Sequence, residues 1–174
     1  MIKKGHNKKV FYEVSFVIGM ILLFASFYFA TKTLIGFSIP ILIFLMTGLI
    51  IFFIEKDKYN KTYNYTGYGY SFMHLTTSFG GIGLFLFFAI NFCIRTDGIK
   101  NTKYTIVDRY SSYGGKGERN ILHPNFVIDY RNEDKIISFS KEFNNDIKVY
   151  KSLELKTSKG LLGFDILLDK KLNK

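Results

Sequence analysis

Three long runs without a charged residue constrain this chain more than any other feature of its sequence. They cover residues 14–30, 33–54 and 73–94, and the first run extends back to residue 10 across Glu13. An α-helix rises about 1.5 Å per residue, so about 20 residues cross a hydrocarbon core of about 30 Å. In the first two runs apolar residues occupy every side of a helix, unlike the amphipathic surface helix of a soluble protein. We therefore expect transmembrane helices at about 10–30, 33–54 and 73–94.

Charged residues are segregated from these runs. Lys32 is the only Lys or Arg between residues 10 and 55, and 12 of the 14 acidic residues lie outside that range. This segregation excludes a single soluble core. It predicts a basic tail over 1–9, a three-helix membrane region over 10–94 and a small soluble domain over 95–174. A cleaved signal peptide is the alternative for the first run, but another run follows it after three residues, which favours a retained helix.

The helices are expected to pack closely. The connector Thr31–Thr33 is so short that it predicts a tight hairpin, with the first two helices as antiparallel neighbours. Pro40 lies in the second run, where contacts with neighbouring helices compensate for its missing N–H. The third run begins with mixed residues, so a frayed start is expected. Small residues suited to close helix contacts are Gly19, Ser26, Ala30, Gly36, Gly48, Gly80, Gly81 and Gly83.

Basic residues near the membrane predict the orientation. Four lie in the N-terminal tail and three (Lys56, Lys58 and Lys61) in the second connector, against Lys32 and four residues after the third run on the other side. The positive-inside rule then places the N-terminus in the cytoplasm and the C-terminal domain outside it. Ile, Lys, Asn, Phe and Tyr, whose codons are rich in A and T, dominate the composition. We therefore expect a multi-pass protein of a bacterial inner membrane.

After residue 95 apolar residues alternate with polar ones, as in strands that have one buried face. Such alternation is seen over 126–130, 135–140, 153–156 and 162–168, and 104–113 is a further expected strand. Phe143, Ile147 and Tyr150 have helical spacing, which predicts a short amphipathic helix over 141–151 capped by Ser140. The expected fold class is three transmembrane helices followed by a small antiparallel β domain with one helix, in the order βββαββ.

The second connector, residues 55–71, contains five tyrosines: Tyr59, Tyr63, Tyr65, Tyr68 and Tyr70. Tyrosine has an apolar ring and a polar hydroxyl, and it is enriched where membrane meets water. We interpret the connector as a segment in the headgroup layer. An aromatic recognition loop is the alternative.

Residues suited to catalysis or metal binding are scattered. His6, His74 and His123 are far apart in sequence, and Cys93 is the only cysteine, so no metal-ligand spacing and no intrachain disulfide is present. The segment 113–117 contains glycines and Lys116 but lacks the spacing of a phosphate-binding loop. Four acids sit where surface acids are common: Asp129, Glu133, Asp134 and Asp146. We assign no catalytic residue, no metal ligand and no cofactor.

Within the runs, Glu13, His74 and Asn91 are the notable polar side chains. Glu13 and His74 lie near span ends, where contact with headgroups accounts for them. Asn91 is deeper, and it is expected to stabilise a helix contact or an oligomer. The net charge of +10 is spread along the chain with no cluster of Arg and aromatic residues, so nucleic acid is not an expected partner.

These observations predict an integral membrane protein that anchors a small interaction domain. Its expected role is non-enzymatic, as an accessory subunit or an immunity-type protein, and its expected partners are the lipid bilayer and either another protein or further copies through the helices. One alternative is a membrane-surface enzyme acting on lipid or envelope material, with a site between the Tyr-rich connector, His74 and the C-terminal domain. A small oligomeric channel or transport component is the other alternative.

Overall fold

A computed structural model describes residues 3–115 and 117–174. In that part of the chain the elements are three α-helices, six β-strands and a 3₁₀ helix, and the predicted layout of helices followed by an antiparallel sheet is confirmed. They are α1 (Lys3–Thr31), β1 (Thr33–Leu34), α2 (Ser38–Tyr63), α3 (Gly69–Cys93), β2 (Lys100–Tyr113), β3 (Leu122–Tyr130), β4 (Glu133–Ser138), the 3₁₀ helix (Lys141–Phe143), β5 (Ser152–Lys159) and β6 (Asp165–Asn173).

The chain divides into two compact units. The helical unit comprises the described residues up to Arg95 together with Gly160–Phe164, and the sheet unit comprises Thr96–Lys159 and Asp165–Lys174. The segment Gly160–Phe164, which connects β5 to β6, thus belongs to the helical unit.

The first two residues of the tail predicted over 1–9 lie outside the described part, and α1 already begins at Lys3.

Three helices in the described chain are long and apolar enough to cross a membrane: Asn7–Thr31, Ser38–Tyr63 and Gly69–Cys93. The third helix begins before the mixed residues that suggested fraying. Its first turn is closed by the hydroxyl of Ser71, which donates to the carbonyl oxygen of Tyr68 at 2.9 Å.

The connector between α1 and α2 is longer than predicted, because α2 begins at Ser38 rather than at residue 33. Pro40 is consequently the third residue of α2. The first turn of a helix has free N–H groups in any case, so a proline there costs no backbone hydrogen bond. Compensation by neighbouring helices is not needed.

Helix α3 lies between the other two and packs along both of them, while the backbones of α1 and α2 approach each other at few points. The expectation that α1 and α2 pack along each other as direct neighbours is therefore wrong. The cause is the small residues of α3. A Cβ atom on Gly81 would lie 2.3 Å from the carbonyl oxygen of Gly19 in α1, and one on Gly80 would lie 2.6 Å from that of Phe44 in α2. These glycines let α3 approach both backbones more closely than larger residues allow.

The sheet unit contains five antiparallel strands in the spatial order β6-β5-β2-β3-β4. Strand β2 is long enough to serve two partners: Lys100–Thr105 pairs with β5, and Ile106–Tyr113 pairs with β3. The register shifts at Val107, between Ile106 and Asp108. One extra residue bends a strand at such a β-bulge, and here the bend separates the two halves of β2.

The strands form because alternating apolar residues share one buried face, as the sequence predicts for most of them. At the β3–β4 turn Arg131 and Asn132 both have positive φ, of 59° and 63°, which is the conformation of a two-residue hairpin turn. The buried apolar residues of the unit are Ile106, Phe126, Val127, Ile128, Tyr130, Ile137, Phe139, Tyr150, Leu153, Leu155 and Ile166.

The α-helix predicted over 141–151 is not formed, so the order βββαββ is not confirmed. Only the 3₁₀ helix Lys141–Phe143 and a series of turns occupy this segment. Backbone N–H groups in this segment donate to carbonyl oxygens three residues earlier, as in the bond from Val149 to Asp146 at 2.9 Å. Near its end, Nη1 of Arg109 donates to the carbonyl oxygens of Lys148 at 3.0 Å and Tyr150 at 2.9 Å. The rings of Phe143 and Tyr150 pack together without this helix, with centroids 6.0 Å apart.

Candidate functional site

Aromatic rings from all three helices surround His74 at one end of the helical unit, where α1 and α3 begin and α2 ends. The ring of His74 is stacked on Phe16 of α1, with centroids 4.5 Å apart and planes at 11°. Tyr59 of α2 and Tyr70 of α3 contact its other sides at centroid distances of 5.2 Å and 5.9 Å. We call His74, Phe16, Tyr59, Tyr70, Tyr12, Tyr63 and Tyr65 the His74 cluster.

Tyr59 lies at the centre of this cluster and has no exposed surface. Its ring is 4.9 Å from that of Tyr12 and 4.7 Å from that of Tyr63. Neither its hydroxyl oxygen nor Nδ1 of His74 has a hydrogen-bond partner among the described residues, although both atoms are buried. A buried polar atom without a partner costs about 1–3 kcal/mol, so the packing of the rings must offset that cost.

The Tyr-rich connector continues the same cluster. Tyr65 is stacked on Tyr63 with centroids 5.7 Å apart and planes at 6°, and it lies 5.1 Å from Tyr70. Tyr59 and Tyr63 belong to helix α2 itself, whereas Tyr68 precedes α3 and is exposed. The sequence singled out the tyrosines, and the structure brings four of them together around one histidine.

A groove of about 580 Å³ lies beside the cluster, between α1 and α2. Phe79 of α3 contributes to its lining, together with Phe11 of α1 and Ile51 of α2 at its apolar end. Its polar end contains Glu55 and Lys58 of α2, with Lys8 of α1 opposite.

Glu55 has two hydrogen-bond donors at this groove. Its Oε1 accepts from Nζ of Lys58 at 2.7 Å, and its Oε2 accepts from the hydroxyl of Tyr12 at 3.0 Å. The Tyr12–Glu55 bond joins the first helix to the second and connects the groove to the His74 cluster. Sequence reasoning singled out Glu13 and missed Glu55. The sequence pattern that could have identified it is an acid, Glu55, directly after the second apolar run and a tyrosine, Tyr12, at the start of the first.

The described contacts do not give His74 the arrangement of a catalytic base. In the part of the chain that the structure describes, its side chain makes no hydrogen bond to a Ser, Cys, Asp or Glu side chain. Nucleophilic catalysis needs such a bond to a nucleophile and another to an orienting group. Glu13 instead pairs with Lys9 at 4.0 Å, on the same face of α1. The geometry is that of a packed aromatic cluster.

The polar candidates of the sheet unit have local partners. His123 Nε2 lies 3.0 Å from a carboxylate oxygen of Glu118. Asp129 accepts from the backbone N–H of Asn132 at 2.9 Å within the β3–β4 turn, and Asp146 lies 3.8 Å from Nζ of Lys174. These contacts stabilise turns and chain ends. They do not gather the acids around one point.

The other residues that the sequence suggested as candidates do not form a site among the described residues. The glycine-rich segment 113–117 leads from β2 into the loop before β3, with no helix after it, and Lys116 lies outside the described residues. The side chain of His6 lies outside the described part as well. Cys93 is exposed at the end of α3. Among the described residues, no group of three or more His, Cys, Asp or Glu side chains is placed to hold a metal ion.

Asn91 has a role that the sequence did not predict. It is fully buried, and its side-chain amide donates to the carbonyl oxygen of Phe164 at 3.2 Å. Its Oδ1 accepts from the backbone N–H of Leu162 at 3.2 Å. The N–H of Leu161 also donates to the carbonyl oxygen of Ile94 at 2.8 Å. The segment Gly160–Phe164 is thus held by the C-terminal end of α3.

Comparison with protein-family models, with curated proteins and with solved structures gives no match. Function is therefore inferred from the residues of this chain alone.

Proposed function

We propose that this protein is an integral membrane protein whose three helices anchor a small β unit that binds another protein. The observation that carries this proposal is the outward face of the helices. Ile21 and Phe24 of α1 are 62% and 65% exposed, and Leu42 and Phe53 of α2 are 60% and 64% exposed. Full burial of one such side chain is worth about 1.5–3 kcal/mol, so a surface of this kind is stable in lipid and costly in water.

The proposed location is a bacterial inner membrane, with the N-terminus in the cytoplasm. Basic residues at the start of α1 and the end of α2 support this orientation, because positively charged residues are retained on the cytoplasmic side. They are Lys8, Lys9, Lys56, Lys58 and Lys61. The sheet unit then follows α3 on the extracytoplasmic side.

A non-enzymatic role, as an accessory subunit or immunity-type protein, is supported by the use made of polar side chains. Asn91 and Arg109 bind backbone carbonyl groups, and Asp129 closes a turn. Residues used in this way stabilise a binding module. The helices supply a second surface, through which further copies or a membrane partner can associate.

Three experiments test this proposal. Extraction of native membranes at alkaline pH should leave the protein in the membrane pellet, and release into the supernatant would contradict membrane integration. A C-terminal reporter that is active only outside the cytoplasm should be active. Crosslinking in native membranes followed by mass spectrometry should recover a defined partner or a self-assembly. Recovery of neither would contradict the binding role.

A second candidate is an enzyme acting on lipid or envelope material at the membrane surface. One observation favours it: Tyr65 and Tyr70 of the connector lie in the cluster around His74. Alanine substitutions at His74, His123, Asp129 and Asp146 test it. If all four variants keep the cellular phenotype of the wild type, the enzymatic candidate is wrong.

A further inference from the structure

The groove between α1 and α2 exists because α3 keeps these helices apart. Both helices pack along α3, their backbones approach each other at few points, and Phe79 of α3 contributes to the lining of the groove between them. Three-helix packing therefore leaves a depression of about 580 Å³ between α1 and α2. In a membrane such a depression is filled by lipid.

The groove changes in polarity along its length. On α2, Ile51 lies at the apolar end and Lys58 at the polar end, and seven residues of helix separate them by about 10 Å. On α1, Lys8 lies at the polar end, and Phe11, about one helical turn later, lies nearer the apolar end. Both walls thus run from charged to apolar toward the middle of the helices. A phospholipid has the same order, with a charged headgroup followed by acyl chains.

Charge at the polar end favours an anionic headgroup. The carboxylate of Glu55 is neutralised by Lys58 at 2.7 Å and also accepts from Tyr12. Lys8 lines the same end, and its charge also acts on Glu55. Two ammonium groups thus face one carboxylate, which leaves one net positive charge at the mouth of the groove. A lysine ammonium is a good point-charge partner for a phosphate group.

We propose that this groove binds one phospholipid with a net negative headgroup. Its phosphate lies against Lys8 and Lys58, and an acyl chain lies along Phe11, Ile51 and Phe79. This site rests on the proposed membrane integration of the helices, and it adds a specific lipid partner to it. Bulk lipid contacts the outer faces of the helices without selection. The groove selects by charge and by shape.

The test uses the full-length protein, purified in a mild detergent and incubated with equimolar phosphatidylglycerol and phosphatidylcholine. Native mass spectrometry should detect one retained lipid per protein, with phosphatidylglycerol in clear excess. Lys8→Gln should lower the retained phosphatidylglycerol about fivefold, since a basic residue contributes that much to binding of an anionic membrane surface. Lys32→Gln is the matched control, because Lys32 lies in the connector after α1 and outside the groove, and it should leave retention unchanged.

Equal retention of the two lipids by the wild type would overturn the proposal. An equal decrease in retained phosphatidylglycerol in the Lys8→Gln and Lys32→Gln variants would also overturn it. Ile51→Trp provides a second probe, since a large ring at the apolar end competes with the acyl chain. It should lower retention of both lipids, and unchanged retention would also count against the site. A protein that stays in alkali-extracted membranes but shows no lipid preference would retain the proposed function and lose this inference. A protein released by alkali would lose both.

Discussion

Asn91 holds the Gly160–Phe164 segment by two hydrogen bonds of 3.2 Å, one from its amide to the carbonyl oxygen of Phe164 and one to its Oδ1 from the N–H of Leu162. Gly160 completes this contact, because a Cβ atom there would lie 2.4 Å from Oδ1 of Asn91. A single buried amide near the end of α3 thus fixes the segment between β5 and β6.

The first prediction concerns this amide. Asn91→Leu removes both hydrogen bonds, and it should destabilise the segment by about 1–3 kcal/mol. Amide hydrogen exchange at Leu162 should accelerate by a factor of about 5–150. Ser26→Ala is a suitable control, since Ser26 is equally buried but bonds only to Leu22 within α1. Unchanged exchange at Leu162 in the Asn91 variant would contradict the described role.

A second prediction tests the close approach of α1 and α3. In Gly81→Ala the new Cβ meets the backbone of Gly19 at 2.3 Å, so the helices must separate, at a cost of about 1–3 kcal/mol. Gly69→Ala is the matched control in the same helix, because a Cβ there has no neighbour within 4 Å. It should be neutral or stabilising by up to about 1 kcal/mol.

The measurement for this pair is reversible unfolding in a mixture of mild and denaturing detergents. Each variant is compared with the wild type at one protein concentration. Equal midpoints for the two variants would show that α3 does not depend on the glycine at residue 81.

The third prediction compares two tyrosines in the His74 cluster. Tyr12→Phe removes the hydroxyl that donates to Glu55 at 3.0 Å, and it should destabilise the helical unit by about 1–3 kcal/mol. Tyr59→Phe removes a buried hydroxyl without a partner among the described residues, so it should be neutral or slightly stabilising. The same detergent titration reports both. A larger loss for Tyr59 than for Tyr12 would invert the order expected from the contacts.

The fourth prediction concerns alkaline pH and the sheet unit. Burial raises the pKa of Tyr130, and its hydrogen bond to Asp165 raises it further. A phenol that keeps its proton more tightly when folded contributes stability in full below its unfolded pKa of about 10, and that stability is lost as pH rises toward the folded value. Wild-type stability should therefore fall above about pH 10.

Tyr130→Phe isolates this contribution. The difference in unfolding free energy between wild type and variant should be about 1 kcal/mol in favour of wild type near neutral pH, and it should shrink above about pH 10. Lys135 has a pKa lowered by burial, but it is present in each protein, so its contribution cancels in the difference. Denaturant unfolding of both proteins at several pH values measures this difference in unfolding free energy. A constant difference would contradict the assigned role of Tyr130.

The parts of the fold that sequence reasoning predicted depend on patterns within one element. Long uncharged runs indicate helices, and alternation indicates strands such as Leu122–Tyr130. Two errors arose where the outcome depends on partners distant in sequence. The connector suggested that α1 and α2 pack along each other, but the glycines of α3 bring that helix between them. The periodicity over 141–151 suggested an α-helix, but the segment forms a 3₁₀ helix and turns whose N–H groups donate to carbonyl oxygens three residues earlier.

The same reasoning explains how much of the site was predicted. His74 and the tyrosines were identified by residue type and position. Their meeting with Phe16 and Tyr12 depends on the packing of three helices, which no local pattern encodes. The Lys8–Glu55–Lys58 arrangement at the groove was missed for the same reason, since two helices contribute to it.

The central position of α3 has a consequence for biosynthesis. The ribosome produces α1 and α2 first, and the backbones of these two helices approach each other at few points. Their partner surfaces, around Gly19 and Gly48, stay unoccupied until α3 has been translated. A nascent chain that ends before Gly69 therefore lacks the helix against which both of these helices pack, and we expect them to acquire their fixed arrangement only after α3 has emerged.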